Sequence, residues 1–140
     1  MRPGFMSSVC PEQTLSELIE TAKRYGYQGI EFRVEWGHRH GVELDATEAQ
    51  LREVRQMLVD HGIAASCVAT SVKFNSPERA DHLPQRATLR RYIALAALIG
   101  APYIRTFSDP LPEEDLVLRD QVLSLAAESY ASVDEWAGQH

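Results

Sequence analysis

Cysteine, basic charge and long apolar runs are all scarce in this sequence, and each shortage excludes a class of protein. Cys10 and Cys67 are too few for a disulfide framework and lie outside any CxxC or Cys/His metal spacing. We read both as small reduced residues near strand ends. The N-terminal stretch has no apolar run long enough for a signal peptide or a spanning helix, which predicts a cytoplasmic protein without a membrane partner.

The charge balance and the missing motifs exclude further classes. Lys and Arg total 14 against 20 Asp and Glu, a net charge of -6, and no stretch concentrates the basic residues. Nucleic acid is therefore excluded as an expected partner. The sequence also lacks GxGxxG, P-loop, GxSxG and HExxH motifs, so nucleotide-binding, serine-hydrolase and zincin functions lose their usual support.

A repeat of strand and helix patterns is present instead. Glycines at positions 26, 62 and 100 each follow a segment with helical periodicity and precede a short apolar, β-prone run. A fourth such segment runs from about 114 to 137 and ends before Gly138. The glycine spacing of 36 to 38 residues is typical of one supersecondary unit used repeatedly.

This repeat predicts an α/β fold of four β-α units. Capping boxes, Thr14 with Glu17 and Thr47 with Gln50, mark the starts of the first two helices. The predicted strands are 3–9, 29–35, 64–71 and 102–108. Strict alternation of strands and helices predicts parallel strands in the order 1-2-3-4, with right-handed crossovers and the helices on one face.

Charged residues on the predicted second and fourth strands are the main indication of a site. Residues 30–35 alternate strictly, so that Ile30, Phe32 and Val34 face the helices. The opposite face receives these charged side chains: Glu31, Arg33, Glu35 and, from the fourth strand, Arg105. Such a set suits a polyhydroxylated or anionic small molecule. The alternative is an internal network of Glu31, Arg33 and Arg105 that satisfies only itself.

Residues that follow the second and third strands extend the candidate site. Trp36 is placed to stack on a sugar ring or to pack at the strand end. His38 and His40 form a His-x-His pair, and an extended backbone would point both rings the same way. The pair is interpreted as part of a solvated loop, as a substrate contact or as half of a metal-binding site. Lys73 is a candidate substrate contact in a β-α loop. Segment 76–87, polar and flanked by prolines, is predicted to be a lid or a long connector.

Three segments together resemble the xylose isomerase-like TIM barrel superfamily, particularly its sugar phosphate isomerase/epimerase branch. They are residues 18–33, 58–63 and 89–105. The first segment has a predicted helix followed by an aromatic-Gly pair and by Gly-Ile-Glu. The last segment has a predicted helix followed by Gly-Ala-Pro and by Ile-Arg. The resemblance implies half of a (β/α)8 barrel, with residues 1–140 as a single N-terminal half-barrel domain.

The resemblance also implies a sugar or sugar phosphate isomerase or epimerase. Members of the family generally bind a divalent metal such as Mn or Mg at the ends of strands five to eight, which this chain does not include. We therefore expect no metal or other cofactor in this chain and no catalytic residues of its own. The expected role is limited to substrate contacts from Glu31, Arg33, Trp36, His38, His40, Lys73 and Arg105, and the isolated chain is expected to be inactive.

Two other functions are compatible with the sequence. The first is a non-enzymatic half-barrel that self-associates or completes its barrel with a partner. The second is an open α/β ligand-binding module with a helix over the charged face of strand two. A half-barrel leaves strands one and four with unpaired edges, and we therefore expect a homodimer or a complementary half-barrel partner.

Overall fold

Four strands alternate with four long helices along the chain. The computed structural model describes residues 2–138, apart from the side chain of Glu135. The elements are β1 (Gly4–Met6), α1 (Leu15–Tyr25), β2 (Gly29–Arg33), α2 (Glu48–Asp60), β3 (Ala64–Lys73), α3 (Arg79–Ile99), β4 (Ile104–Phe107) and α4 (Leu116–Ala137). The C-terminal residues 139–140 lie outside the described residues, as does any strand predicted beyond Gly138.

The local signals in the sequence explain the helix boundaries. Both predicted capping boxes form, at Thr14 and Thr47. Gly26, Gly62 and Gly100 have φ values of 74°, 68° and 78°. These angles lie in the left-handed region, which glycine adopts without a Cβ clash and which stops each helix before the next strand.

The sheet has the predicted order, β1-β2-β3-β4. Its strands are parallel, and because successive right-handed crossovers all step in one direction, the helices cover one face. The fold class and strand order predicted from the sequence are confirmed, and the open module with a helix over the charged face is wrong. Register pairs Met6 with Glu31 and Glu31 with Cys67, and a bulge at Ser66 interrupts the β2–β3 ladder.

The predicted boundaries of all four strands differ from the structure, since β3 extends to Lys73 rather than to residue 71 and β4 covers Ile104–Phe107 rather than 102–108. The differences at β1 and β2 affect the candidate site. Strand 3–9 is shorter than predicted, because residues Ser7–Val9 form a 3-10 turn directly after β1. Strand 29–35 ends at Arg33, and Glu35 has a φ of 73°. Both changes turn the chain away from the sheet at the carboxyl ends of the strands.

The prediction of a lid or connector over 76–87 is also wrong, because α3 already begins at Arg79 and includes Pro84. Contacts to distant residues hold this first part of the helix. His82 is buried and lies 2.7 Å from Ser129 Oγ, and Arg79 forms an ion pair with Glu128. Tertiary contacts therefore outweigh the local cost of proline.

The chain divides into two compact units. One comprises Met1–Thr70 with Ala94–Arg105, and the other comprises Ser71–Ile93 with Thr106–His140. The single-domain boundary of 1–140 stays a prediction. In the first unit, alternate residues of β2 and Val34 just after it are buried together with the apolar stripes of α1 and α2: Ile30, Phe32, Val34, Leu18, Ile19, Ala22, Leu51, Val54 and Leu58.

The second unit has its own buried set. Its members come from the end of β3 and the residue after it, from α3 and from α4: Val72, Phe74, His82, Tyr92, Val122, Leu125, Ala126, Ser129 and Val133. Tyr130 is partly exposed, and its hydroxyl lies 2.7 Å from Thr106 Oγ1. The buried position next to it is Ser129, whose hydroxyl donates to Leu125 O at 2.7 Å.

None of the helices within residues 2–138 is long and apolar enough to cross a membrane.

A matched pair of substitutions on α2 tests this packing. Val54 is 7% exposed and Val59 is 64% exposed. We expect Val54→Ala to lower the free energy of unfolding by about 2 kcal/mol more than Val59→Ala, because only the first leaves a cavity. The change in helix propensity is common to both. Urea unfolding followed by circular dichroism measures the difference, and equal losses would contradict the assigned face of α2.

Candidate functional site

A cavity of about 410 Å³ lies at the carboxyl ends of the strands in the first unit. Its walls come from the end of β1 and the turn after it, from the end of β2 and the loop that follows, and from β4. The lining residues are Met6, Ser8, Pro11, Arg33, Trp36, His38 and Arg105. Four of the predicted site residues are thus brought together, namely Arg33, Trp36, His38 and Arg105.

Arg33 is the most constrained side chain of this cavity. It is the last residue of β2 and is buried. Its Nη1 donates to Val34 O at 2.9 Å and to Ala69 O at 2.8 Å, and lies 3.7 Å from Glu35 Oε2. Its Cζ lies 5.1 Å from the centroid of the Trp36 ring, a cation–π distance. Arg33 therefore holds the end of the sheet and orients Trp36.

Glu31 and Arg105 form an ion pair on the inner face of the sheet. Arg105 Nε lies 3.3 Å from Glu31 Oε1, and Arg105 Nη2 lies 3.8 Å from the sulfur of Met6. Neither Nε nor Oε1 has hydrogen-bond geometry in this contact, although both atoms are buried. The pair is therefore held by charge, within a layer that includes Met6 and Cys67 through the strand register.

Cys67 is a thiol rather than a thiolate in this layer. Burial raises its pKa, and the nearby charge of Glu31 raises it further. The thiol therefore adds a small, weakly polar surface beside the ion pair, and the thiolate needed for nucleophilic chemistry is disfavoured.

The loop after β2 is organised by a half-buried carboxylate, that of Glu43. The backbone N–H of Glu35 donates to both carboxylate oxygens of Glu43 at 3.0 Å. Burial raises the pKa of Glu43. These bonds hold Glu35 in its left-handed conformation, which a non-glycine residue adopts only when its surroundings compensate.

His40 belongs to the same loop and is buried beneath it. Val42 N–H donates to His40 Nδ1 at 3.0 Å, so Nδ1 carries no proton, and Nε2 donates to Arg33 O at 2.9 Å. Burial lowers the pKa of His40 to about 4. Both ring nitrogens are thus used by the backbone, and a substrate contact from His40 stays a prediction that the cavity geometry does not support.

The His-x-His pair does not have the predicted arrangement. Residues 39–40 form a turn rather than extended backbone, and the two rings meet at 84° with centroids 5.5 Å apart. His38 lines the cavity, whereas His40 does not. Among residues 2–138, no group of three or more His, Cys, Asp or Glu side chains is placed to hold a metal ion.

Lys73 belongs to the second compact unit and is described there by itself. It is the last residue of β3, and its side chain is exposed. Its backbone N–H donates to Gln85 Oε1 at 3.0 Å, and its Nζ lies 6.0 Å from the centroid of the Phe107 ring. The substrate contact predicted for Lys73 stays a prediction.

Met6, Ser8 and Pro11 are cavity residues that the sequence reasoning missed. It extended the first strand through residue 9 and therefore gave Ser8 no role of its own. The cluster Ser7, Ser8 and Pro11 is a recognisable turn signal. Ser7 itself is buried, and its hydroxyl accepts from the backbone N–H of Arg33 at 2.9 Å.

The fold and the position of this cavity define half of a β/α barrel with a candidate site at the carboxyl ends of its strands. The family model described as xylose isomerase-like TIM barrel matches residues 19–140. The chain therefore belongs to the xylose isomerase-like TIM barrel family. No curated protein gives a significant match to the chain.

Solved structures have the same fold. D-psicose 3-epimerase, crystallised in the presence of D-fructose, matches with a TM-score of 0.72 at 17% identity over 99% of this chain and 49% of that chain. The probable 3-DHS dehydratase AsbF of Bacillus anthracis matches with a TM-score of 0.75 at 14% identity over 96% and 49%. The 3-keto-D-glucoside 4-epimerase YcjR of E. coli matches with a TM-score of 0.70 at 14% identity over 99% and 52%. The chain spans about half the length of these structures.

The lowered pKa of His40 predicts an acid-sensitive loop. The stability that neutral His40 contributes is fully present above pH 6.5, its ordinary pKa, and is lost as the pH falls toward about 4. Between pH 6.5 and about 4, we expect the free energy of unfolding of the native chain to fall by up to about 3 kcal/mol because of His40. The variant His40→Asn should not show this loss.

Urea unfolding at several pH values between 7 and 4.5 measures this difference. His61→Asn is the matched control, because His61 is exposed at the end of α2. The control is expected to keep the pH dependence of the native chain. An unchanged slope in His40→Asn would contradict the assignment of a neutral, buried imidazole.

Proposed function

We propose that this chain provides substrate contacts in a sugar isomerase or epimerase. The observation that carries the proposal is the cavity of about 410 Å³ at the carboxyl ends of the strands, with two guanidinium groups, an imidazole and an indole in its walls. β/α barrels have their active sites at this end. The relatives named for D-psicose and 3-keto-D-glucoside epimerisation support a carbohydrate as the ligand.

The chemistry of the lining residues fits a polyhydroxylated ligand. Guanidinium groups present several N–H donors in one plane, which suits neighbouring hydroxyl and carbonyl oxygens. Trp36 adds an apolar ring face that Arg33 orients, and such a face packs against the C–H surface of a sugar ring. Orientation of the substrate is thus the proposed task of this chain.

The proposal assigns the proton transfer of such a reaction to residues other than 2–138. A metal-held carboxylate is the expected base next to a substrate carbonyl. Residues 2–138 do not fit a metal, since no group of three or more candidate ligands meets among them. The proposal therefore places a divalent metal such as Mn or Mg elsewhere and uses no metal-dependent step here.

Binding of D-fructose to the purified chain tests this proposal. We expect D-fructose to shift the NMR signals of the Trp36 indole N–H and of the Arg33 and Arg105 amides. Trp36→Ala is expected to weaken binding about 5-fold, because loss of a ring contact of this kind costs on the order of 1 kcal/mol.

Tyr25→Ala is the matched control for Trp36→Ala. Trp36 and Tyr25 are 69% and 67% exposed, and each contacts an arginine, but Tyr25 ends α1 at the opposite end of the strands. This control should leave the affinity unchanged. Absence of any shift, or equal binding by Trp36→Ala and the native chain, would contradict the proposal.

A second candidate is a half-barrel that functions through assembly, either as a homodimer or with a complementary half-barrel. It is favoured by β1 and β4, which lie at the edges of the sheet, and by a cavity of about 820 Å³ on the inner face at the amino ends of the strands. Phe5, Met6 and Tyr103 line this cavity, and Tyr103 is 70% exposed. Pairing of β4 with β1 of a second copy would satisfy both edges.

Light scattering coupled to size exclusion tests the assembly. We expect a mass near twice the 15.7 kDa of one chain at micromolar concentration. Tyr103→Asp is expected to shift the protein toward the monomer, because it places a charge on the face to be covered. Tyr25→Asp, at a similarly exposed tyrosine on α1, should not. A folded and stable native monomer would contradict the self-association.

A further inference from the structure

The loop after β2 contains a strained residue next to the candidate cavity. Glu35, Gly37 and Gly41 have φ values of 73°, 66° and 77°, all in the left-handed region. Glycine adopts this region freely, whereas a residue with a Cβ is strained there. Within residues 2–138, Glu35 is the one non-glycine residue with a positive φ. Strain of this kind persists where the surroundings hold it, and it concentrates at functional sites.

Glu43 is part of what holds the turn at Glu35. Both of its carboxylate oxygens accept from the Glu35 N–H at 3.0 Å. Burial raises the pKa of Glu43, so the charged form is disfavoured at this position. A carboxylate with a raised pKa adds little to the stability of the fold at neutral pH. Stability therefore explains Glu43 poorly, and what the carboxylate provides is a strong acceptor for one N–H.

Trp36 is the side chain that this turn directs. It follows Glu35 immediately and lines the cavity of about 410 Å³. Its ring centroid lies 5.1 Å from Cζ of Arg33, whose guanidinium donates to Val34 O and Ala69 O. Trp36 is 69% exposed, so packing covers little of the ring. The direction of the backbone at Glu35 therefore has a large influence on where the indole lies.

We propose that Glu43 is a positioning residue of the candidate site: its carboxylate holds the left-handed turn at Glu35, keeps Trp36 on the cavity wall, and loses this hold in acid. Protonation leaves the carboxyl a weaker acceptor, because hydrogen bonds to an ionised group are roughly twice as strong as neutral ones. The effect on ligand binding rests on the proposed function, whereas the placement of Trp36 is independent of it.

The groups around Glu43 set the direction of the pH dependence. Burial raises its pKa most, and the bond from the Glu35 N–H lowers it. Of the neighbouring charges, those of Asp45 and Glu35 raise the pKa further and that of Arg33 lowers it. The net pKa lies above the ordinary value of 4.5. His40, with a pKa of about 4, titrates mainly below this range, so measurements between pH 7 and 5 follow Glu43 rather than His40.

NMR of the ligand-free chain tests the positioning. The signals are the Glu35 amide, the Trp36 indole N–H and the side-chain carboxyl carbon of Glu43. Between pH 7 and 5, we expect all three signals to follow one titration. Glu43→Gln should remove this pH dependence and should move the Trp36 signal at pH 7 toward its position in the native chain at pH 5. Its free energy of unfolding at pH 7 should not be lower than that of the native chain, because it removes a charge that burial disfavours.

A second substitution separates positioning through the turn from a general structural role. Glu43→Ala should displace the Trp36 signal, and Glu35→Gly in the same chain should restore it, because glycine adopts the left-handed turn without an acceptor to hold it. Asp45→Asn is the matched control, since Asp45 is an exposed carboxylate of the same loop. It should leave the Trp36 signal at pH 7 unchanged and move the titration to lower pH, because it removes a like charge near Glu43.

Binding of D-fructose is the final readout. The affinity of the native chain should fall between pH 7 and 5 by no more than the roughly 5-fold expected for Trp36→Ala, because displacement of the ring loses the same contact. Glu43→Gln should show the weaker affinity at both pH values.

A native Trp36 signal and an unchanged pH dependence in Glu43→Gln would overturn the positioning role. So would a folded Glu35→Gly, Glu43→Ala chain in which the Trp36 signal stays displaced. If Glu43→Ala does not fold, Glu43→Gln and the pH titration of the native chain decide the question. Movement of Trp36 as expected, in a chain that binds no D-fructose, would support the positioning role and contradict the proposed function.

Discussion

The alternation of side chains along β2 is the constraint from which the core and the candidate site both follow. Because successive residues of a strand point to opposite faces, Ile30 and Phe32 are buried with the helices while Glu31 and Arg33 lie on the other side. A slip of one residue would bury the charges and expose the core. The hydrophobic effect on one face therefore fixes the position of the charges on the other.

Arg33 links this strand to the loops that surround the cavity. Its side chain, its backbone N–H and its backbone carbonyl bind different segments through Ala69 O, Ser7 Oγ and His40 Nε2. Removing the guanidinium would leave buried carbonyls without a donor as well as change the charge of the cavity. This is why Arg33 is a poor position for testing ligand recognition.

Much of the fold could be predicted from local signals, because capping boxes and left-handed glycines act within a few residues of one another. Strand alternation is also a local signal, and it allowed the sequence to place three charged residues on one face: Glu31, Arg33 and Arg105. The contacts that close the loops could not be predicted. His40 accepts from Val42 inside a turn, and the start of α3 depends on His82 and Ser129, far apart in the sequence.

Because of the bulge at Ser66, the regular alternation of side chains between the two faces of the sheet is interrupted at one point of β3. Ala65 pairs with Ile30, and Cys67 pairs with Glu31, so Ser66 is an extra residue between two positions on opposite faces. Counting by twos from Ala64 would put Val68 on the inner face, although Val68 is fully buried beside Phe32 on the helix side. Loss of Ser66 would leave the pairing of Cys67 and all later residues unchanged. Comparison of this strand with that of a relative should therefore allow a gap of one residue at position 66.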